Sequence, residues 1–160
     1  MYLGQKMARK GPYRPKNPQK YKGDPTTIVY RSGWEALMMR YLDMHPHIIE
    51  WSSEEIVIPY ISPIDGRWHR YFMDFYAKIK KGDKIEELLI EVKPFAQTRP
   101  PDLAKAKKLK NGKPNMRYLY EVKTWGVNEA KWNATKEYCA DRGWHFMIFT
   151  EYELGIKKRR

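Results

Sequence analysis

The stretch from Tyr71 to Pro94, YFMDFYAKIKKGDKIEELLIEVKP, decides the fold. Apolar and polar residues alternate on both sides of Gly82-Asp83, and a two-residue turn with glycine first favours a type II′ hairpin. Lys81 then lies opposite Lys84, and counting back along both strands sets Asp74 opposite Glu91. Period-two alternation puts Glu91 and Lys93 on one side of their strand and Val92 on the other. Two carboxylates facing each other weaken a sheet unless positive charge sits between them. A divalent cation held by Asp74, Glu91 and the Val92 carbonyl supplies such a charge, with Lys93 beside it. These oxygen donors suit Mg²⁺, with Mn²⁺ as a substitute, because a hard cation keeps several waters and is completed by phosphate. Lys93 is placed to orient or deprotonate water and to steady charge on a phosphate. The same residues also read as a charged hairpin in which Lys93 and Arg70 satisfy two partly exposed acids.

Moving towards the N-terminus, Ile28 to Met44 has helical periodicity, with Trp34, Leu37, Met38, Tyr41 and Leu42 on one face and Pro46 after its end. Ser32 and Glu35 fit a capping box in which Glu35 reaches back to the Ser32 amide. Glu35 also lies at the shoulder of the apolar face, where its carboxylate could approach the hairpin. Glu54–Tyr60 and Arg67–Ile79 are expected to be strands joined at Asp65-Gly66, with Ile85–Lys93 the third. Beyond Pro94, residues 94–117 read as a basic loop with a short helix near Leu103–Leu109. Tyr118–Lys123 reads as a strand or an extended lead-in. Val127–Asp141 reads as a helix stopped by Gly143, and His145–Thr150 as a final strand. Helix, three strands, helix, strand is the αβββαβ order of an α/β mixed sheet flanked by helices. Glu121-Val122-Lys123 repeats the Glu-Val-Lys of 91–93 but has no aspartate set opposite it. His45 and His47 flank Pro46 without a third ligand, which argues for a capping or surface role rather than zinc.

Charge is concentrated at the ends. Of a net +12, residues 1–23 contribute seven Lys/Arg and no acid, and Lys157, Lys158, Arg159 and Arg160 contribute four more. The remainder carries 20 basic and 19 acidic residues. The expected organisation is an extended basic arm at 1–25 that orders on a partner, a folded domain at 26–154 and a basic tail at 155–160. Such ends neutralise phosphates and favour nucleic acid, although they also suit solubility or an acidic protein surface. Between Arg99 and Lys123 lie eight basic and two acidic residues, close in sequence to Lys93. Arg99, Lys105, Lys107 and Lys108 are therefore candidate DNA-backbone contacts. The single cysteine, Cys139, excludes an internal disulfide and fits a helix interior. No stretch is apolar enough to span a bilayer, and a soluble intracellular protein without a membrane partner is expected.

Glu35, Asp74 and Glu91-Val92-Lys93, in that order of elements, resemble the PD-(D/E)XK nuclease superfamily, although Met73 stands where the family's proline would be. Across most of the chain, motifs such as Tyr30-Arg31-Ser32-Gly33-Trp34-Glu35, Tyr71-Phe72-Met73-Asp74, Lys131-Trp132 and Phe146-Met147-Ile148-Phe149-Thr150-Glu151 resemble the head completion nucleases of T-even-type tailed bacteriophages. The core is also similar to the transposon endonuclease TnsA. The resemblance implies a restriction-endonuclease-like fold and a Mg²⁺-dependent endonuclease acting on double-stranded DNA. Glu35, Asp74, Glu91 and Lys93 are its implied catalytic residues, and Lys131 joins the expected DNA contacts. It further implies a place in the host cytoplasm and the virion, with portal or other head-completion proteins as partners. Two other readings remain: a DNA-end-binding head-closure protein without required catalysis, and an RNA-binding module.

Overall fold

The computed structural model describes residues 10–160. Its strands are β1 (Gly11–Pro12), β2 (Val29–Tyr30), β3 (Ile48–Ser53), β4 (Val57–Ile61), β5 (Trp68–Phe72), β6 (Phe75–Lys81), β7 (Lys84–Val92) and β8 (His145–Phe149). Its two α-helices are α1 (Gly33–Met44) and α2 (Met116–Arg142). The central sheet has the order β3-β6-β7-β8. Its first three strands are antiparallel, and β8 returns parallel to β7 after the α2 crossover. The αβββαβ order therefore holds in an α/β mixed sheet, though not with the strands expected.

The expected strand Glu54–Tyr60 and the first half of Arg67–Ile79 belong elsewhere. β4 and β5 form a separate two-stranded hairpin, whereas β3, a segment given no element in the sequence reading, supplies the first strand of the central sheet. The run expected to be one strand from Arg67 to Ile79 breaks at Met73-Asp74, where the chain passes from β5 into β6. Glu54 sits at the same crossing. Its amide lies 3.1 Å from the Met73 carbonyl and 3.2 Å from that of Asp74. Its φ of +57° is uncommon for a residue with a Cβ.

Strand alternation divides the apolar side chains between two layers. Phe75, Ala77, Leu88 and Ile90 pack with Met38, Met39 and Leu42 of α1. Tyr76 and Leu89 point the other way, to Trp132 and Cys139 of α2, to Ile58, Tyr60 and Tyr71 of the hairpin, and to Met73 just after it. The sheet is thus sandwiched, with its β4–β5 excursion contributing to the α2 layer.

Local chemistry sets the helix ends. Ser32 caps α1 by accepting the Glu35 amide at 3.2 Å. The expected start at Ile28 moves to Gly33 because Val29 and Tyr30 pair with Pro12 and Gly11. At the other end, the His45 backbone amide reaches the Tyr41 carbonyl, and His45 Nδ1 accepts the His47 amide at 3.2 Å in a local turn past the helix. The α2 helix is 27 residues long and absorbs Tyr118–Lys123, which local β-forming residues had suggested was extended. Asn115 accepts the Tyr118 amide at its start, and Gly143 closes it at φ +69°, the left-handed cap that favours glycine.

The N-terminal segment differs from a free arm. Its first nine residues lie outside the described residues, but from Gly11 onward it is docked on the body. Asp43 on α1 is fully buried and accepts from the Tyr13 hydroxyl at 3.0 Å, the Lys16 amide at 2.8 Å and the Asn17 amide at 2.9 Å. Tyr21 is buried too and packs edge-on against Trp51 at 4.8 Å.

Candidate active site

The hairpin register is the one counted from the turn. Gly82 has φ +60°, and the ladder runs from Lys81 opposite Lys84 to Phe75 opposite Ile90. Asp74 and Glu91 stand one step past its last pair. Asp74 Oδ2 accepts the Val92 amide at 2.8 Å, which ties the aspartate across the hairpin. By alternation Glu91 shares its side with Leu89, the α2 side of the sheet. Glu91 is only 4% exposed. The Tyr71 hydroxyl donates to its Oε2, and Lys93 Nζ lies 3.1 Å from its Oε1.

Burial and like charge shape the titration of this cluster. Although Asp74 still reaches solvent in part, protein atoms crowd its carboxyl and raise its pKa well above the carboxylate range. The Glu91 charge adds to the rise, and the Val92 amide and Lys93 oppose it. Burial also raises Glu35, with the nearby charges of Glu54 and Glu91 contributing and the Arg31 amide opposing. The Tyr71 phenol is pushed up by burial first and then by Glu91 and Asp74. Lys131 moves down, because burial outweighs the attraction of Glu91. Excess negative charge in a partly dry pocket calls for a cation.

The structure brings Asp74, Glu91, Lys93 and Glu35 into one electrostatic neighbourhood. Glu35 does cap α1, but its carboxylate reaches the Arg31 amide at 2.7 Å, one residue earlier than the Ser32 amide expected. Lys131 joins the pocket from the middle of α2, its ammonium 5.1 Å from the Tyr71 ring centre and 5.7 Å from that of Tyr60. Lys131 was expected only as a DNA contact, and Tyr71 had been given no place in the site. Alternation in β5 and helical spacing in α2 show nothing of their meeting.

The remaining basic candidates lie apart from this cluster. Arg99 stacks 4.6 Å above Phe95, and Lys105 approaches Glu121 at 4.0 Å. Arg99 and Lys105 line a cleft of about 480 Å³ together with Arg117 and Tyr120 from the first turns of α2. Lys107 and Lys108 are exposed beyond the short 3₁₀ turn Leu103–Ala106. Glu121 pairs with Arg117 at 3.4 Å, so the second Glu-Val-Lys belongs to a solvated helix face.

Among the described residues, no three His, Cys, Asp or Glu side chains are grouped to hold an ion by themselves. Two carboxylates completed by a backbone oxygen, water and phosphate match the habit of Mg²⁺, which seldom takes an all-protein cage. The donor set therefore fits the ion.

A family model described as the TnsA-like endonuclease N-terminal domain matches residues 45–151, a span that includes Asp74, Glu91, Lys93 and Lys131 but begins after Glu35. The chain is also 43% identical over 154 residues to the head completion nuclease of Enterobacteria phage T4, an alignment covering 94% of this chain and 99% of that protein. With the sheet order, the opposed carboxylates and the adjoining lysine, these matches show that the chain belongs to the TnsA-like endonuclease family.

Proposed function

We propose that the protein is a Mg²⁺-dependent deoxyribonuclease that hydrolyses phosphodiester bonds in double-stranded DNA, acting on packaged phage DNA ends as the head is completed. The observation that carries the reading is the Asp74–Glu91 pair, crowded by protein and flanked by Lys93. Asp74, Glu91 and the Val92 carbonyl would hold the ion. When bound, it supplies positive charge that polarises a phosphoryl oxygen and acidifies water.

The protein's own groups have separable tasks. The Tyr71 hydroxyl holds one oxygen of Glu91 and Lys93 holds the other at 3.1 Å, so the carboxylate is oriented before substrate arrives. The Lys93 ammonium orients the attacking water and stabilises charge on the phosphate. Lys131 adds a second positive charge from the α2 side. Glu35, its pKa raised by burial, is placed to assist in proton transfer. Arg99, Lys105, Lys107 and Lys108 contact the DNA backbone. Portal or other head-completion proteins are partners of this role, and host cytoplasm and virion its setting. No helix among the described residues is long and apolar enough to cross a membrane.

Asp74→Ala or Lys93→Ala should abolish Mg²⁺-dependent cleavage of duplex DNA while binding in EDTA persists. Full activity in pure Asp74→Ala protein would sink the assignment. Complementation of head assembly by a folded, cleavage-dead variant would favour the non-catalytic head-closure role instead.

A further inference from the structure

We infer that a second site, beside the candidate active site, binds unpaired nucleotides, so that the preferred DNA carries a single-stranded tail or a frayed end. The site is a cleft of about 830 Å³ lined by Phe95, Arg99, Tyr152 and the basic run 157–160. Nuclease activity and duplex contacts do not require aromatic rings here. A cationic cleft with paired aromatics is instead the composition that holds a single strand, with cations following phosphates and rings stacking bases.

The cleft is built into the fold by two crossings at the exit of β7. The Lys93 amide donates to the Phe149 carbonyl at 3.0 Å, and the Phe95 amide donates to Glu151 Oε2 at 2.8 Å. These bonds tie the segment after Lys93 to the segment after β8. Phe95 and Tyr152 consequently meet edge to face, with ring centres 5.3 Å apart. Arg99 lies over Phe95 at 4.6 Å and Arg159 over Tyr152 at 5.6 Å. Arg159 is also tied to Glu153 at 3.0 Å, and the Thr150 amide holds that same carboxylate at 2.8 Å. Rings and guanidinium planes are thereby ordered in advance, and both surfaces stack on exposed bases.

Position links this cleft to cleavage. Phe95 is two residues from Lys93, a separation of at most about 7 Å along the chain. A strand whose phosphate sits at Lys93 can continue into the cleft only if its neighbouring bases are unpaired, because a duplex hides its base faces in the stack. Arg99 also borders the cleft that reaches the first turns of α2, so one arginine joins the tail path to the expected duplex-backbone path. The inference rests on the nuclease reading for the meaning of Lys93, but not for the binding itself.

The test uses the full chain in EDTA and fluorescence anisotropy with one duplex in four forms: blunt, with a short thymidine tail, with an abasic tail of equal charge, and with a uridine RNA tail. The thymidine tail should bind about tenfold tighter than the abasic tail, the effect of roughly one stacked base, and Tyr152→Leu should bring that ratio near one. Equal affinity for thymidine and abasic tails in the wild-type protein overturns the inference, since phosphate charge alone would then explain binding. Tighter binding of the RNA tail overturns the assignment to DNA. Cleavage of the same duplexes in Mg²⁺ is measured separately. Tail preference without cleavage defeats the nuclease reading and leaves this site standing, whereas cleavage without tail preference does the reverse.

Discussion

Replacing Asp74 by Asn should stabilise the metal-free protein. Asn keeps an oxygen that can accept the Val92 amide, now held at 2.8 Å, but removes a negative charge set against Glu91. Directly opposed cross-strand residues have Cβ atoms about 5 Å apart, and like charges at about that separation repel by about 3 kcal/mol at an effective dielectric near 20. Lys93, which attracts Asp74, offsets part of this, leaving a gain of about 1–3 kcal/mol. For a chain of this size each kcal/mol moves the melting temperature by about 2–4 °C, so the variant should melt about 2–12 °C higher at pH 8 in EDTA.

The pH dependence has a definite sign. Burial and Glu91 raise the folded pKa of Asp74 above its unfolded value, which is about 3.9. Below that unfolded value the proton is bound in both states, and wild type and variant should differ little. As pH rises towards the folded pKa, the unfolded chain releases its proton first and the wild type loses stability. The melting difference should therefore open upward from about pH 4 and level off once folded Asp74 is ionised. Saturating Mg²⁺ should then stabilise the wild type, by about 2.7 kcal/mol at 100 times its Kd, and the variant much less. Differential scanning fluorimetry across pH, with EDTA or Mg²⁺, makes the measurement. A lower melting temperature for Asp74→Asn at pH 8 in EDTA, or an equal Mg²⁺ gain in both proteins, would refute the reasoning.

Other substitutions separate roles that coexist in one residue. Glu35→Gln retains a side chain able to cap α1, so melting should change by less than about 1 kcal/mol while kcat falls at least about tenfold; an unchanged kcat leaves Glu35 a cap only. Lys131→Met keeps an apolar stem over Tyr60 and Tyr71 but removes the charge. Single-turnover cleavage should slow by about tenfold or more, the scale of a lost charged contact in the transition state, whereas a weakened Kd with a shallower salt dependence would mark a backbone contact. Asp43→Ala strands the Lys16 and Asn17 amides and the Tyr13 hydroxyl. Chemical denaturation should register a loss of about 3 kcal/mol or more, and a loss below about 1 kcal/mol would show that the N-terminal segment is not anchored there.

Glu35, Asp74, Glu91 and Lys93 were all legible as candidates because each sits in a local pattern: a cap followed by a helix, or a glycine-first turn followed by alternating strands. Turn chemistry acts over two residues and alternation carries the register outward without distant information. The sequence alone therefore determined the β6–β7 ladder, and its composition located the excess positive charge. Tertiary structure decided which strands share the central sheet: β3 pairs with β6, and the β4–β5 hairpin lies outside it. It also decided that Asp43 anchors the segment from Tyr13 to Asn17, and that Tyr71 and Lys131 meet beside Glu91. The first contact forms on the α1 side of the sheet and the second on the α2 side, and each joins separate elements that only packing brings together. Local propensity likewise failed at Tyr118–Lys123, where the Asn115 cap and the continuation into a long packed helix outweighed β-forming side chains. Near-neighbour chemistry wrote the hairpin, whereas long-range burial assembled the groups around it.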